Sequence, residues 1–291
     1  MCFNIIVTMS EVKTAIAPQP PLLEQFQPYL SFHPHERHRC ITIEDFTAAS
    51  VLRSHADPNF LRNPVTPEML WELRENSQLY LDSKTPVDEP DNADVAYGLQ
   101  VSENLLVYFY LYYETDIYPC CGAIPCDCCF KKWAHLGDVK FVVVELENPP
   151  PPPEVNPVKR HLKRVYFGAH GSLAGEWVPA DQCSIADETH VVAFPALGDH
   201  SHYKKEGLFC RIWGLVWDKT SRNRLSRPQL IPIPATPQSP GFDAVRHGWV
   251  HFAGHFSATG IDFPAHQGFY SGELPSTSNN WFRRCFCPSY W

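Results

Sequence analysis

From Leu105 onward, short apolar runs alternate with turn-forming residues. "LLVYFYLYY" (105–113), "VKFVVVEL" (139–146), "LKRVYFG" (162–168), "HVVAF" (190–194), "RIWGLVW" (211–217) and "WVHFAGHF" (249–256) are rich in aromatic and β-branched residues. Such side chains pack well on a pleated surface, so each run is predicted as a strand. Upstream, "TIEDFTAASVLRS" (42–54) and "VTPEMLWELREN" (65–76) read as two short helices. The second carries Thr66 as N-cap, Pro67 at the first helical position and Glu68 in the first turn. "NPPPPPEVNP" (148–157) joins two strands and is expected as an extended surface connector, because proline cannot donate to a ladder. No internal repeat is found.

The pattern predicts an all-β or β-rich α+β fold: a β-sandwich with long loops and two short N-terminal helices. Residues 1–28 are broken by prolines and are expected as an arm lying on the domain. Residues 29–291 are expected to form one domain, since 291 residues and 33.2 kDa suffice for a sizeable core. Twenty-eight prolines against 15 glycines favour fixed turns over long helices.

Charge and cysteine content narrow the function classes. The net charge of −8, without a long Lys/Arg run, disfavours a nucleic-acid groove, which must neutralise phosphates. The N-terminal "MCFNIIVTMSEVK" has no basic leader, and its apolar run is far below the ~20 residues needed to span a bilayer. A cytoplasmic protein without a transmembrane segment is therefore expected. Eleven cysteines, an odd number, then read as thiols or ligands rather than as a disulfide framework. Five of them, Cys120, Cys121, Cys126, Cys128 and Cys129, fall within "CCGAIPCDCC". Thiolates can close a tetrahedral zinc site, but the spacing lacks two well-separated pairs, so free thiols, structural zinc and a disulfide all stay open. No G-x-S-x-G, P-loop, G-x-G-x-x-G or HExxH pattern occurs, which leaves common hydrolase, nucleotide and metalloprotease chemistry without its geometry. No cofactor is expected beyond that candidate zinc.

The residues able to do chemistry gather at strand ends. "AHLGD" (134–138) precedes one strand, "GAHGSLAGEW" (168–177) follows another, and "PALGDHSHY" (195–203) follows a third. Asp138, His170, Asp199, His200 and His202 are the candidate acid/base groups. Each also has a bland alternative as a turn cap or a hydrogen-bonded structural side chain.

The order of these segments resembles the core of the vacuolar protein sorting-associated protein 62 family. That family carries a "GDWEHV"-type segment, then "S-x-H-x-G-G-x-W", then "HPVVYxAxGSHAxY". The counterparts here are "GDVKFV" (137–142), "GAHGSLAGEW" and "THVVAFPALGDHSHY" (189–203), with "LSFHPHERHRCITIEDF" (30–46) resembling an earlier family segment. A more distant similarity is to the necrosis-inducing proteins, which fold as a β-sandwich with a carboxylate/histidine site for a divalent metal. Two departures matter. Val139 and Lys140 replace the family's Trp-Glu, putting a cation where a carboxylate would stand, and Asp199 replaces the Ser of Gly-Ser-His.

These features suggest a tailoring enzyme acting on an apolar small molecule, a cyclase or isomerase of secondary metabolite biosynthesis without a nucleotide cofactor. A non-catalytic trafficking protein and a metal-dependent lipid-binding protein are the alternatives the resemblances imply. Genomic neighbours would separate them.

Overall fold

A computed structural model of the chain describes residues 21–36, 38–83, 94–115, 135–147, 161–168, 175–211 and 216–255. The N-terminal third holds α1 (Leu22–Gln25), β1 (Tyr29–Ser31), α2 (Ile43–Ala48), β2 (Ser50–Ser54), β3 (Leu61–Arg62), α3 (Pro67–Glu72) and β4 (Leu79–Ser83). The long strands follow: β5 (Val95–Ser102), β6 (Leu105–Thr115), β7 (His135–Leu146), β8 (Leu162–Phe167) and β9 (Glu176–Pro179). Next come β10 (Ile185–Ala186), β11 (His190–Pro195), β12 (His202–Tyr203), β13 (Gly207–Arg211) and β14 (Val216–Thr220). β15 (Leu225–Ser226), β16 (Gln229–Ile233), α4 (Ala244–His247) and a 3-10 turn (Gly248–His251) complete the described chain.

The centre is a six-stranded sheet in the order β16, β5, β6, β7, β8, β9. All neighbours are antiparallel except β16, which runs parallel to β5. Both faces of this sheet are covered. On one side Val107, Phe109 and Leu111 of β6 and Phe141 and Val143 of β7 meet Phe46, Leu52, Leu70 and Trp249 from the helices and the β3-β2-β4 sheet. On the other side Leu106, Tyr108, Tyr110 and Tyr112, with Val142 and Val144, meet Leu30, Val191 and Ala193 of a second sheet. That second sheet has the order β10, β11, β1, β15, with β12 paired to β11, and gives a sandwich-like arrangement. β6 therefore buries every residue from Leu105 to Tyr112, which explains why "LLVYFYLYY" shows no polar alternation. Burying one such side chain fully stabilises the fold by about 1.5–3 kcal/mol.

The strand-rich fold expected from the sequence is observed. Helix α3 starts as read: Thr66 accepts from the Met69 amide, and Pro67 occupies the first turn. Three local expectations are corrected. The segment 42–54 is helical only to Ala48; beyond it Ser50–Ser54 pair with β4, because Val51 and Leu52 bury on that sheet better than a second helical turn would allow. Of the segment 249–256, residues 249–255 are described and are not a strand: Gly248–His251 form the 3-10 turn, and the Trp249 indole donates to the Arg246 carbonyl while its ring fills the core. β7 begins at His135, so Asp138 lies inside the strand, opposite Tyr112, rather than just before it. Of the expected arm, residues 21–28 are described, and Leu23 and Phe26 are buried against the second face of the sheet. Among the described residues, no helix is long and apolar enough to cross a membrane.

Candidate functional site

The turn after β11 is built by its backbone. Gly198 takes φ 74°, a left-handed conformation that glycine adopts without a Cβ clash. The His200 amide donates to the Ala196 carbonyl, and the Ala196 amide to the Ser201 carbonyl. Asp199 accepts from the Ser201 amide at 3.1 Å and from the Ser201 hydroxyl. It thus holds the turn's shape. His200 itself sits at φ 60°, which costs a side-chain-bearing residue roughly 1–2 kcal/mol. That conformation goes with a fully buried ring.

His200 and His202 enter the space between the two sheets at the end where β6 finishes and β7 begins. The Tyr112 ring lies flat on His200, with centroids 4.0 Å apart and planes 4° from parallel. The Tyr112 hydroxyl lies 3.3 Å from His202 Nε2, and Tyr110 meets the His202 ring edge-on. Asp138 and Lys140, two residues apart on β7 and so on one face, form a buried ion pair of 2.8 Å. In register they stand opposite Tyr112 and Tyr110. Glu36 closes the other side of His200. Its Oε2 accepts from the Gly198 amide at 2.7 Å, and its Oε1 from the His38 amide at 2.9 Å. Glu36 Oε1 lies 3.5 Å from His200 Nε2, beyond the ordinary hydrogen-bond range. Neither ring nitrogen of His200, nor the Tyr110 hydroxyl, has a hydrogen-bond partner among the described residues.

Electrostatics assign definite charge states. Burial alone would raise the Glu36 carboxyl, but His200 and the Gly198 and His38 amides overcome it and bring it down to about 2, so it is a carboxylate. Burial pushes His202 down to about 3; the Lys140 ammonium adds to this, while the Phe141 carbonyl opposes it. His202 is therefore neutral near pH 7. Burial holds the Tyr110 and Tyr112 phenols well above their ordinary value, so both keep their protons. Cys40 is bridged to Tyr112 at the sheet margin, and burial likewise holds its thiol protonated.

Of the residues singled out in the sequence, Asp138, His200 and His202 meet in this cluster, and Asp199 lies beside it in the turn. His170 and the cysteines Cys120, Cys121, Cys126, Cys128 and Cys129 lie outside the described residues, as do the 148–157 connector and residues 1–20. Among the described residues no group of three or more His, Cys, Asp or Glu side chains is arranged to hold a metal ion. Glu36, Tyr110 and Tyr112 escaped the sequence reading. Glu36 sits in "HPHERH", whose density of titratable groups was a usable signal, whereas the tyrosines were hidden inside an aromatic strand.

No family model matches the chain, and no curated protein does. The resemblance to the sorting family read from the motif order is therefore not supported by these comparisons. Among solved structures, the chain is similar to necrosis and ethylene inducing protein 2 from the causal agent of cocoa's witches' broom disease. The two share 14% identity over 74% of each chain, with a TM-score of 0.38.

Proposed function

We propose that the protein is an acid/base enzyme that isomerises or cyclises an apolar small molecule bearing a carbonyl group, with His200 as the proton-transfer group. The observation that carries this reading is the His200 ring itself: fully buried, held by a left-handed backbone, with Nε2 facing the Glu36 carboxylate at 3.5 Å and Nδ1 without a hydrogen-bond partner among the described residues. Backbone strain and unpaired buried nitrogens both cost stability, and they gather where function demands them.

In this reading Glu36 orients the imidazole from its Nε2 side, leaving Nδ1 to take a proton from a carbon next to the carbonyl. Returning that proton to a second carbon completes an isomerisation, with no oxidant or nucleotide required. The Tyr110 hydroxyl, permanently protonated, supplies a hydrogen bond to the carbonyl oxygen as charge develops there. Neutral His202 and the Asp138–Lys140 pair hold Tyr112 and the surrounding field in place. Cyclisation asks less of the groups: shape from Tyr110 and Tyr112 and one hydrogen bond to the activating carbonyl. The cytoplasmic, nucleotide-independent tailoring role expected from the sequence belongs to the same proposal.

The test is proton exchange. Purified protein is incubated in deuterium oxide, with chelator present, against a panel of apolar ketones and enones, and deuterium uptake is read by mass spectrometry. Exchange above buffer that falls roughly 10²–10⁴-fold in His200→Ala supports the assignment. No exchange by the folded protein, or equal exchange in His200→Ala, refutes it.

A further inference from the structure

The buried cluster holds one nucleophile that the acid/base reading leaves idle. Side chains of β7 alternate, so Val139, Phe141 and Val143 enter one face of the central sheet, while Asp138 and Lys140 share the other face with Val142 and Val144. Lys140 is 3% exposed, and its ammonium lies 2.8 Å from the Asp138 carboxylate. Among the described residues Asp138 is its one hydrogen-bond or ion-pair partner. A buried ion pair is weak support for a fold, because an apolar pair of similar volume serves as well. A lysine at this place in the core is better accounted for by chemistry than by stability.

Its surroundings suit a carbonyl group. Tyr110 is directly opposite Lys140 across the β6–β7 ladder, a position that brings Cβ atoms to about 4.5–5.5 Å. The Tyr110 hydroxyl is buried, keeps its proton and has no hydrogen-bond partner among the described residues. The Lys140 ammonium acts on His202, whose ring meets Tyr110 edge-on with centroids 5.1 Å apart. His200, with Nδ1 likewise unpartnered among the described residues, stacks on Tyr112, the neighbour of Asp138 in the same ladder. An amine, a donor hydroxyl and a proton acceptor are thus gathered on one face of two adjacent strands and in the turn packed on it.

We propose that Lys140 is a catalytic residue that forms a protonated imine with the carbonyl carbon of the apolar substrate, an assignment that rests on reading the cluster as a carbonyl-directed acid/base site. Asp138 takes one proton from the ammonium, and the freed lone pair adds to the carbonyl carbon. The carbonyl oxygen, met by the Tyr110 hydroxyl, collects two protons of the former ammonium, one of them carried by Asp138, and leaves as water while the C=N bond forms. The positive charge stays on nitrogen, so Asp138 still faces a cation and no unpaired charge is left buried. His200 Nδ1 then takes a proton from the adjacent carbon, where the iminium draws electrons more strongly than a carbonyl does. Return of that proton to carbon and addition of water release the product and restore Lys140.

Cyclohexanone with sodium cyanoborohydride tests this, since the hydride reduces an imine to a stable secondary amine. The full chain is treated at pH 7 and digested, and each lysine peptide is read by mass spectrometry for a gain equal to the ketone's mass less one oxygen. Lys140 should carry at least tenfold more label than any other lysine, and the preference should vanish in urea. Lys140→Arg, which keeps a cation beside Asp138 but cannot form an imine, should lower deuterium exchange into the same ketone at least tenfold. Where circular dichroism shows that variant unfolded, Asp138→Asn with Lys140→Met takes its place. Exchange by the wild type without selective label at Lys140, or undiminished exchange in the folded variant, would overturn the imine and leave the His200 reading standing. Selective label without exchange would support the imine and overturn proton transfer by His200. Absence of both overturns both.

Discussion

Replacing Glu36 with Gln removes a charge while keeping the side chain's shape, and the structure sets the size of the response. The carboxylate accepts two backbone amides, from Gly198 and His38, and its side chain is 2% exposed. Its fall from 4.5 to about 2 on folding corresponds, at about 1.4 kcal/mol per pH unit, to about 3 kcal/mol of preference for the charged form. A glutamine can accept only one of the two amides, and its own NH₂ must face the other. Leaving a buried donor unpaired costs about 1–3 kcal/mol, which is part of the same quantity. Glu36→Gln should therefore lose about 3 kcal/mol at pH 7. A depressed carboxylate contributes stability that is complete above its unfolded value of 4.5 and is lost as pH falls towards 2. The gap between wild type and variant should accordingly close across that window. Urea unfolding in half-unit steps from pH 7 to 2.5 measures it. A loss below about 1 kcal/mol at pH 7, or a gap that stays constant down to pH 3, would refute the electrostatic role given to Glu36.

Two further outcomes follow from the same cluster. His202 is held neutral, down from 6.5 to about 3, so its contribution is complete above pH 6.5 and declines as the pH falls towards 3. His202→Gln should flatten the stability slope between pH 6.5 and 4.5, by up to about 1.4 kcal/mol per pH unit relative to wild type, and an unchanged slope would count against this. Lys140→Met should cost about 3–5 kcal/mol by leaving the buried Asp138 charge without its cation, and Asp138→Asn with Lys140→Met should recover most of that; a double-mutant cycle showing coupling under about 0.5 kcal/mol would sink the pairing.

Where the sequence was legible, local chemistry and burial pointed the same way. The Thr66-Pro67-Glu68 start of α3 and the aromatic strands β6, β7, β8 and β11 are of this kind. It was misread where tertiary contact overrode local preference. Ser50–Ser54 continue a helical pattern yet pair with β4, and Trp249 heads a strand-like run yet bends into a 3-10 turn so that its ring can enter the core. The same division runs through the site. His200 and His202 stood out because a His-rich turn after an apolar run is visible in one dimension. Glu36 did not, because its role depends on the fold bringing residue 36 against residue 198. Asp138 was seen, but its pairing with Lys140 two positions on becomes meaningful only once β7 is known to run through both, with their shared face turned inward.

The parallel pairing of Tyr29 and Leu30 in β1 with Val192 and Ala193 in β11 bears on the order of folding. The six-stranded sheet consists mostly of hairpin neighbours, whose loops close at modest entropic cost, whereas β1 must find a strand more than half the chain away. Glu36 follows β1 and His200 follows β11, so the contact between them depends on a long-range closure in the second sheet. A partly folded chain can thus hold its central sheet while Glu36 and His200 are still apart, and the Tyr112–His200 stack would then be among the last features to form during refolding.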